Sequence, residues 1–201
     1  MINGSPREGG NTFQALDEMR KVFEKNGIEA EIFSIGREPI TGCRSCGACA
    51  KLGKCVIDDC VNVLAEKLEA ADGFVIGTPV YYGSANGTLI SLLDRLFFSI
   101  QADLTMKVGA SVAVARRGGC SATFDELNKY FTIKGMPLAS SEYWNMVYGQ
   151  RRGEAQQDAE GMRTMRVLAE NMSFLIKSIA LGKEKYGLPG KEDRVFTNFV
   201  R

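Results

Sequence analysis

The chain has 201 residues, 45% of them apolar and 24% charged, with a net charge of +1 and no histidine. That size and mixture suit one globular domain with a full core, and a near-neutral chain has no global field to recruit nucleic acid or an anionic membrane. Without histidine a Ser-His-Asp or Cys-His hydrolase is excluded, as is a histidine-bound zinc, so chemistry must come from carboxylates, thiols, a metal cluster or an organic cofactor.

Only Met1 to Asn3 precede the first loop, GSPREGGNT, so the first strand is expected to be clipped, against about five or six residues for an ordinary strand. A misplaced start or a shortened chain would explain it. No signal-peptide pattern is visible, and a cytoplasmic location is expected. Asn11 to Asn26 has helical spacing, with Phe13, Leu16, Met19, Val22 and Phe23 on one face. Asn11 with Gln14 resembles a capping box, and Asn26-Gly27 is a stop signal. Ile28 to Ile35 alternates as a strand does. A cysteine-rich loop follows at about 42–58, and Asp58-Asp59 caps a helix to about Ala71.

Phe74 to Ile76, apolar and bounded by glycines, suits a strand buried on both faces. Ser84 to Phe98 is a helix with Leu89, Leu92, Leu93, Leu96 and Phe97 inward. The longest apolar run, near Leu89 to Ile100, is broken by Asp94 and Arg95, so no segment is long enough to span a bilayer. Val108 to Ala115 is another buried strand, Ser121 to Phe131 a helix, and Met136 to Ala139 a brief strand. The last helix runs from Asp158 to Leu181, and Gly182 ends it. Strands alternating with helices imply a parallel sheet covered on both faces. The expected fold is a three-layer, flavodoxin-like α/β domain of residues 1–201, with a five-stranded parallel sheet in the order 2-1-3-4-5.

In such a sheet, ligands sit outside the carboxyl ends of the strands, at the switch point. Three glycine-rich loops fall there: GSPREGGNT, TPVYYGSANG and ARRGGCS. The first offers backbone N–H groups before a helix, the hydroxyls of Ser5 and Thr12, and the charge of Arg7, a set suited to phosphate. Glu8 works against it unless it points outward. In the second, Pro79, Val80, Tyr81 and Tyr82 form a bend that Gly83 returns, able to lie against a flat ring. In the third, Gly118 and Gly119 present N–H groups beside Arg116 or Arg117. Each loop alone also reads as a plain turn. A phosphate at one and a planar ring between the other two describe bound FMN.

Cys43, Cys46, Cys49 and Cys55 have the spacing C-x2-C-x2-C-x5-C. The first two intervals match a bacterial ferredoxin run. A 4Fe–4S cluster, an empty or redox-active thiol loop, and a structural zinc remain open, whereas a disulfide would be unusual in the cytoplasm. Gly42, Gly47 and Gly53 help the backbone wrap, and Lys51 and Lys54 can offset thiolate charge. Cys60 falls at a helix start, and Cys120 follows the third loop as a small buried residue.

GSPREGGNT, TPVYYGSANGTLISLLDR and AVARRGGCSATFDELNKYFTIKGMPLASSEYWNMVYG resemble the NAD(P)H-dependent FMN reductases of the flavodoxin-like superfamily, and CRSCGACAKLGKC resembles the compact motif of their iron–sulfur flavoprotein members. The resemblance runs from Asn3 to about Gly182. It implies that Ser5, Arg7, Asn11 and Thr12 hold the FMN phosphate. It implies that Pro79, Val80, Tyr81, Tyr82 and Gly83 pack on the ring, and that Ala115, Arg116, Arg117, Gly118 and Gly119 line its polar edge. Ser140 to Tyr148, with Trp144 and Asn145, would close the site from the side or from a partner subunit, in a homodimer or homotetramer. The implied activity is hydride transfer from NAD(P)H and electron delivery to a quinone, flavin or redox protein, with no catalytic side chain assigned. The alternatives are an electron carrier without NAD(P)H oxidase activity and a zinc-stabilised interaction domain.

Overall fold

The computed structural model describes residues 1–193, 195–197 and 199. Its centre is β5, Val108–Ala115, in which all eight residues are buried. On one side β5 pairs in parallel with β3, Gly73–Tyr81, and on the other with β6, Met146–Tyr148. β1, Ile2–Asn3, joins the other edge of β3, and β2, Phe33–Ser34, lies outside β1. The parallel order β2-β1-β3-β5-β6 is the expected 2-1-3-4-5 arrangement. A sixth, two-residue strand, β4 (Ser84–Ala85), folds back antiparallel on β3.

Helices α1 (Asn11–Lys25) and α6 (Ala159–Tyr186) cover one face, where Leu16, Met19 and Phe23 meet Met165, Leu168 and Met172. The other face is covered by α3 (Cys60–Ala70), α4 (Gly87–Ser99) and α5 (Cys120–Thr132). Leu64, Leu68, Leu92, Leu93, Leu96 and Phe131 pack there. Full burial of each such side chain stabilises the fold by about 1.5–3 kcal/mol. A short helix, α2 (Cys49–Leu52), lies in the cysteine loop. No helix among the described residues is long and apolar enough to cross a membrane.

Four expectations are corrected. The strand expected over Ile28 to Ile35 is only Phe33–Ser34. β2 is an edge strand whose ladder runs opposite the two residues of β1, Ile2 with Phe33 and Asn3 with Ser34. Phe33 N–H donates to Met1 O and Ile35 N–H to Asn3 O. A cavity of about 540 Å³ lies beside this pair, walled by Ile28, Phe33, Phe74 and Met172. Second, the outer strand is Met146–Tyr148, not Met136–Ala139, of which only Leu138 bridges to Gly109. Third, α1 is not capped by a side chain: its N-cap is Gly10, and Gln14 Nε2 donates to Gly9 O instead. Fourth, α6 passes through Gly182 and ends at Tyr186, where Gly187 leaves the helix at a positive φ of 75° that glycine tolerates.

Candidate functional site

The first loop is wound around its own side chains. Asn3, almost wholly buried, accepts the Ser5 N–H through Oδ1 (3.1 Å) and donates through Nδ2 to Ser34 Oγ (3.1 Å). Ser5 Oγ accepts the Arg7 N–H at 3.2 Å, and Gly10 N–H donates to Arg7 O. Because Gly10 has no side chain to accept from the first turn of α1, those N–H groups lack a side-chain cap and suit an anion that arrives. Ser5 and Thr12 are buried in this cradle, while Arg7 and Glu8 are exposed.

The second loop is a hairpin. Val80 pairs with Ala85 and Tyr81 with Ser84, leaving Tyr82 and Gly83 as a two-residue turn with φ of 51° and 81°. Positive φ at both centres is the type I′ geometry, and for tyrosine it is strained. The turn holds because Glu126 of α5 accepts both Ser84 Oγ–H (2.7 Å) and Ala85 N–H (3.0 Å). The Tyr82 ring is fully exposed and Tyr81 is partly so. Pro79 and Val80 are half-buried.

Asn86, buried, links this loop to the first. Its Nδ2 donates to Gly4 O at 2.6 Å, while its Oδ1 caps α4 by accepting Thr88 N–H. The third loop closes against the second at Gly119, φ 90°, where a Cβ would fall 2.7 Å from Gly83 Cα and 2.9 Å from Val80 Cγ1. Gly83 and Gly118 face open space. Arg116 and Arg117 are exposed, and Ala115 is buried in the sheet. Loops expected separately to hold a phosphate and a ring therefore form one continuous rim.

A fourth loop, residues 148–153, also belongs to the rim and was not anticipated. Arg7 Nη1 donates to Gln150 O at 3.4 Å, and the Arg152 guanidinium lies against Gly9, 2.7 Å from where a Cβ would stand. Glu154 shapes the loop by accepting the N–H groups of Gln150 and Arg151 at 2.7 and 2.8 Å, which holds its carboxyl below the usual range. Asn11 is engaged here rather than free for a ligand. Its Nδ2 donates to Arg151 O (2.9 Å) and its Oδ1 accepts Ala155 N–H (3.2 Å). The signal for this loop is GQRRG, which has the same glycine-and-arginine grammar as ARRGG. An outer strand expected at Met136 to Ala139 leaves GQRRG too far from the strand end to read as a rim loop.

In the stretch 140–148, Asn145 is a structural residue, buried, donating to Ser111 O and accepting from Ser141 Oγ. Trp144 is exposed, its ring 5.1 Å from that of Tyr143. Cys120 lies beneath the third loop with Ala113, Ala115 and Met146. Burial pushes its thiol up to about 11, with the Tyr148 hydroxyl pulling weakly the other way.

The cysteine loop leaves the carboxyl end of β2. All six cysteines are free, and Cys43 and Cys46 are exposed. Cys43, Cys46, Cys49 and Cys55 line one cavity of about 160 Å³, with Ile57, Arg95 and Phe98. Among the described residues no three His, Cys, Asp or Glu side chains converge closely enough to hold one metal ion. Asn62 fixes the end of the loop, accepting Cys55 N–H and donating to Cys55 O, both at 3.0 Å. Asp59 caps α3 at Val61 N–H and pairs with Arg95. Burial works against its charge, but Arg95 and Val61 outweigh that and hold its carboxyl below the ordinary value.

The sequence model of the NADPH-dependent FMN reductase family matches residues 1–150. The chain belongs to that family. An iron–sulfur flavoprotein of Methanocaldococcus jannaschii is 33% identical over 186 residues, 89% of this chain and 96% of that one. One from Methanosarcina thermophila is 30% identical over 190 residues, 92% and 97% of the two chains. These matches place this FMN reductase family member in the iron–sulfur flavoprotein subgroup. In fold it is similar to RosB, solved with bound 8-demethyl-8-formylriboflavin-5'-phosphate, at a TM-score of 0.69, 18% identity, and coverage of 100% of this chain and 92% of that one. The family makes it an FMN-dependent oxidoreductase with a flavodoxin-like fold.

Proposed function

We propose that the protein oxidises NAD(P)H at an FMN held in the rim and delivers electrons to a quinone, a free flavin or a redox protein. The observation that carries this is the contiguity of the loops: Asn86 ties the first to the second, and Gly119 seats the third on the second. FMN, when bound, supplies hydride acceptance and release of electrons singly or in pairs.

The chain's own residues fit that group. The uncapped start of α1, with buried Ser5 and Thr12 and the nearby Arg7 and Arg152, suits a phosphate. Gly83 and Gly118 leave space in which a ring can lie flat on the 79–83 hairpin. Exposed Arg116 and Arg117 offer positive charge to electron-rich atoms at the polar edge. No side chain needs to act as a strong base, which agrees with a chain lacking histidine. The exposed Tyr143–Trp144 pair is surface that the expected homodimer or homotetramer would cover.

The four thiols receive a 4Fe–4S cluster in the same proposal. They surround one cavity without converging on a point, and a cluster binds each thiolate at a different iron, whereas a zinc gathers its ligands about one centre. The relatives named iron–sulfur flavoproteins support it. Steady-state NAD(P)H consumption by anaerobically purified protein with a quinone or free flavin is the test. Turnover dependent on bound FMN is expected. Protein that holds FMN but consumes neither NADH nor NADPH would instead be an electron carrier.

A further inference from the structure

Among the described residues Arg95 is the one fully buried charged side chain, 1% exposed. It sits on the apolar face of α4 between Leu92 and Leu96, where leucines would be expected on both sides and a guanidinium is costly. Its charge is met by a two-point pair with Asp59: Nη1 to Oδ2 at 2.6 Å and Nη2 to Oδ1 at 2.9 Å. The pair alone would satisfy the charge, yet the other donors go elsewhere. Nε and Nη2 both donate to Cys55 Sγ at 3.3 Å. Nη1 also donates to Thr41 O (3.2 Å) and Nη2 to Ile57 O (3.1 Å).

Two features of this set stand out. Thr41 precedes the first cysteine of the run and Ile57 follows the last, so one guanidinium clamps both ends of the loop. A neutral thiol is a weak acceptor, so two cationic N–H donors aimed at one sulfur are matched to a thiolate. Cys55 is half-buried, whereas Cys43 and Cys46 are exposed.

We propose that Arg95 is the positioning residue of the cysteine loop: it holds the four thiols around their cavity before any metal enters, and its N–H donors to the Cys55 sulfur raise the reduction potential of the cluster. This rests on the 4Fe–4S reading given above. The physical ground is that hydrogen bonds to cluster sulfurs, and a nearby positive charge in a poorly screened site, stabilise the more negative, reduced state. Asp59 acts in the opposite sense, because its carboxylate offsets the guanidinium charge.

The test compares wild type, Arg95→Lys, Arg95→Gln and Asp59→Asn after anaerobic reconstitution. Iron and sulfide counts, iron loss to a chelator, and an electron paramagnetic resonance redox titration are measured. Arg95→Lys keeps a charge but loses the fork. It should release iron about tenfold faster than wild type, with a midpoint potential shifted negative. Arg95→Gln should shift further. Asp59→Asn, which keeps a capping side chain for α3, should shift the potential positive. A residue that merely stabilised the fold would not move the potential in opposite directions for the two members of one pair. If Arg95→Gln does not fold, Arg95→Lys decides. Wild type with iron and sulfide, and Arg95→Lys with the same retention and potential, would overturn the Arg95 inference alone. Wild type that takes up no iron and sulfide would overturn it together with the cluster reading.

Discussion

The rim proposed for FMN and the cysteine loop leave the same edge of one sheet but are supported in opposite ways. Many side chains from different elements brace the rim: Asn86 on Gly4, Glu126 on the 84–85 strand, Asn11 on Arg151 and Ala155, and the bare Gly119 on Gly83. The cysteine loop is largely exposed and has a single one-turn helix; its two ends meet at one buried arginine, and Asn62 holds the second of them. The difference suits the two ligands proposed for them. A flavin phosphate in the proposed cradle would be held by several backbone and hydroxyl donors, with Arg7 and Arg152 nearby, which work only if fixed beforehand. The proposed cluster would bring its own strong bonds, so the loop would need only to be set at the right span.

That contrast can be broken by uncoupling the two regions. The largest effect is expected from Gly119→Val, since φ of 90° and a Cβ placed 2.7 Å from Gly83 Cα leave no room. FMN affinity should fall by much more than about tenfold, above about 1.4 kcal/mol, while iron content is retained; flavin fluorescence titration beside iron analysis checks both. Cys55→Ser should do the converse, removing most of the iron and sulfide with FMN affinity unchanged. Loss of both ligands in either variant would show that the regions are not separately supported.

Smaller changes sharpen the contrast. Arg7→Ala removes one exposed charge from a cradle that keeps its backbone donors. FMN should bind about tenfold more weakly, the low end for a charged hydrogen bond, with the deficit shrinking as salt is raised. A further effect, on stability rather than on FMN affinity, concerns the floor of the rim. The unfolded Cys120 thiol loses its proton near 9, whereas in the fold burial raises it to about 11. The folded state therefore holds the proton longer. Its contribution is intact below about pH 9 and is lost as pH rises toward 11, by about 2 kcal/mol. Denaturant unfolding of wild type and Cys120→Ala at neutral and alkaline pH measures it, and a difference that stays constant with pH would contradict it.

Helices and buried strands were legible in the sequence because their apolar spacing is repeated over several turns. Leu89, Leu92, Leu93 and Leu96 are all buried as the spacing implies. The strand order was legible because alternating elements and crossover handedness leave few arrangements. The edge strands were not. β1 and β2 are two residues each and β6 is three, too short for a periodic signal. Misplacing β6 also hid the loop after it, and with it Arg152. Asn11 was legible as polar and near the cradle, but its bonds to Arg151 and Ala155 come from the far end of the chain and leave no local mark. Arg95 read only as an interruption in an apolar run, because its partners lie about forty residues away and nothing beside it points to them.

The most direct measurement is a crystal structure of the protein with FMN. The phosphate should lie within hydrogen-bond reach of Ser5, Thr12 and the first N–H groups of α1, with the ring between residues 79–83 and 116–119. A flavin bound with its phosphate elsewhere, or its ring away from the Tyr82–Gly83 turn, would contradict the assignment of the rim.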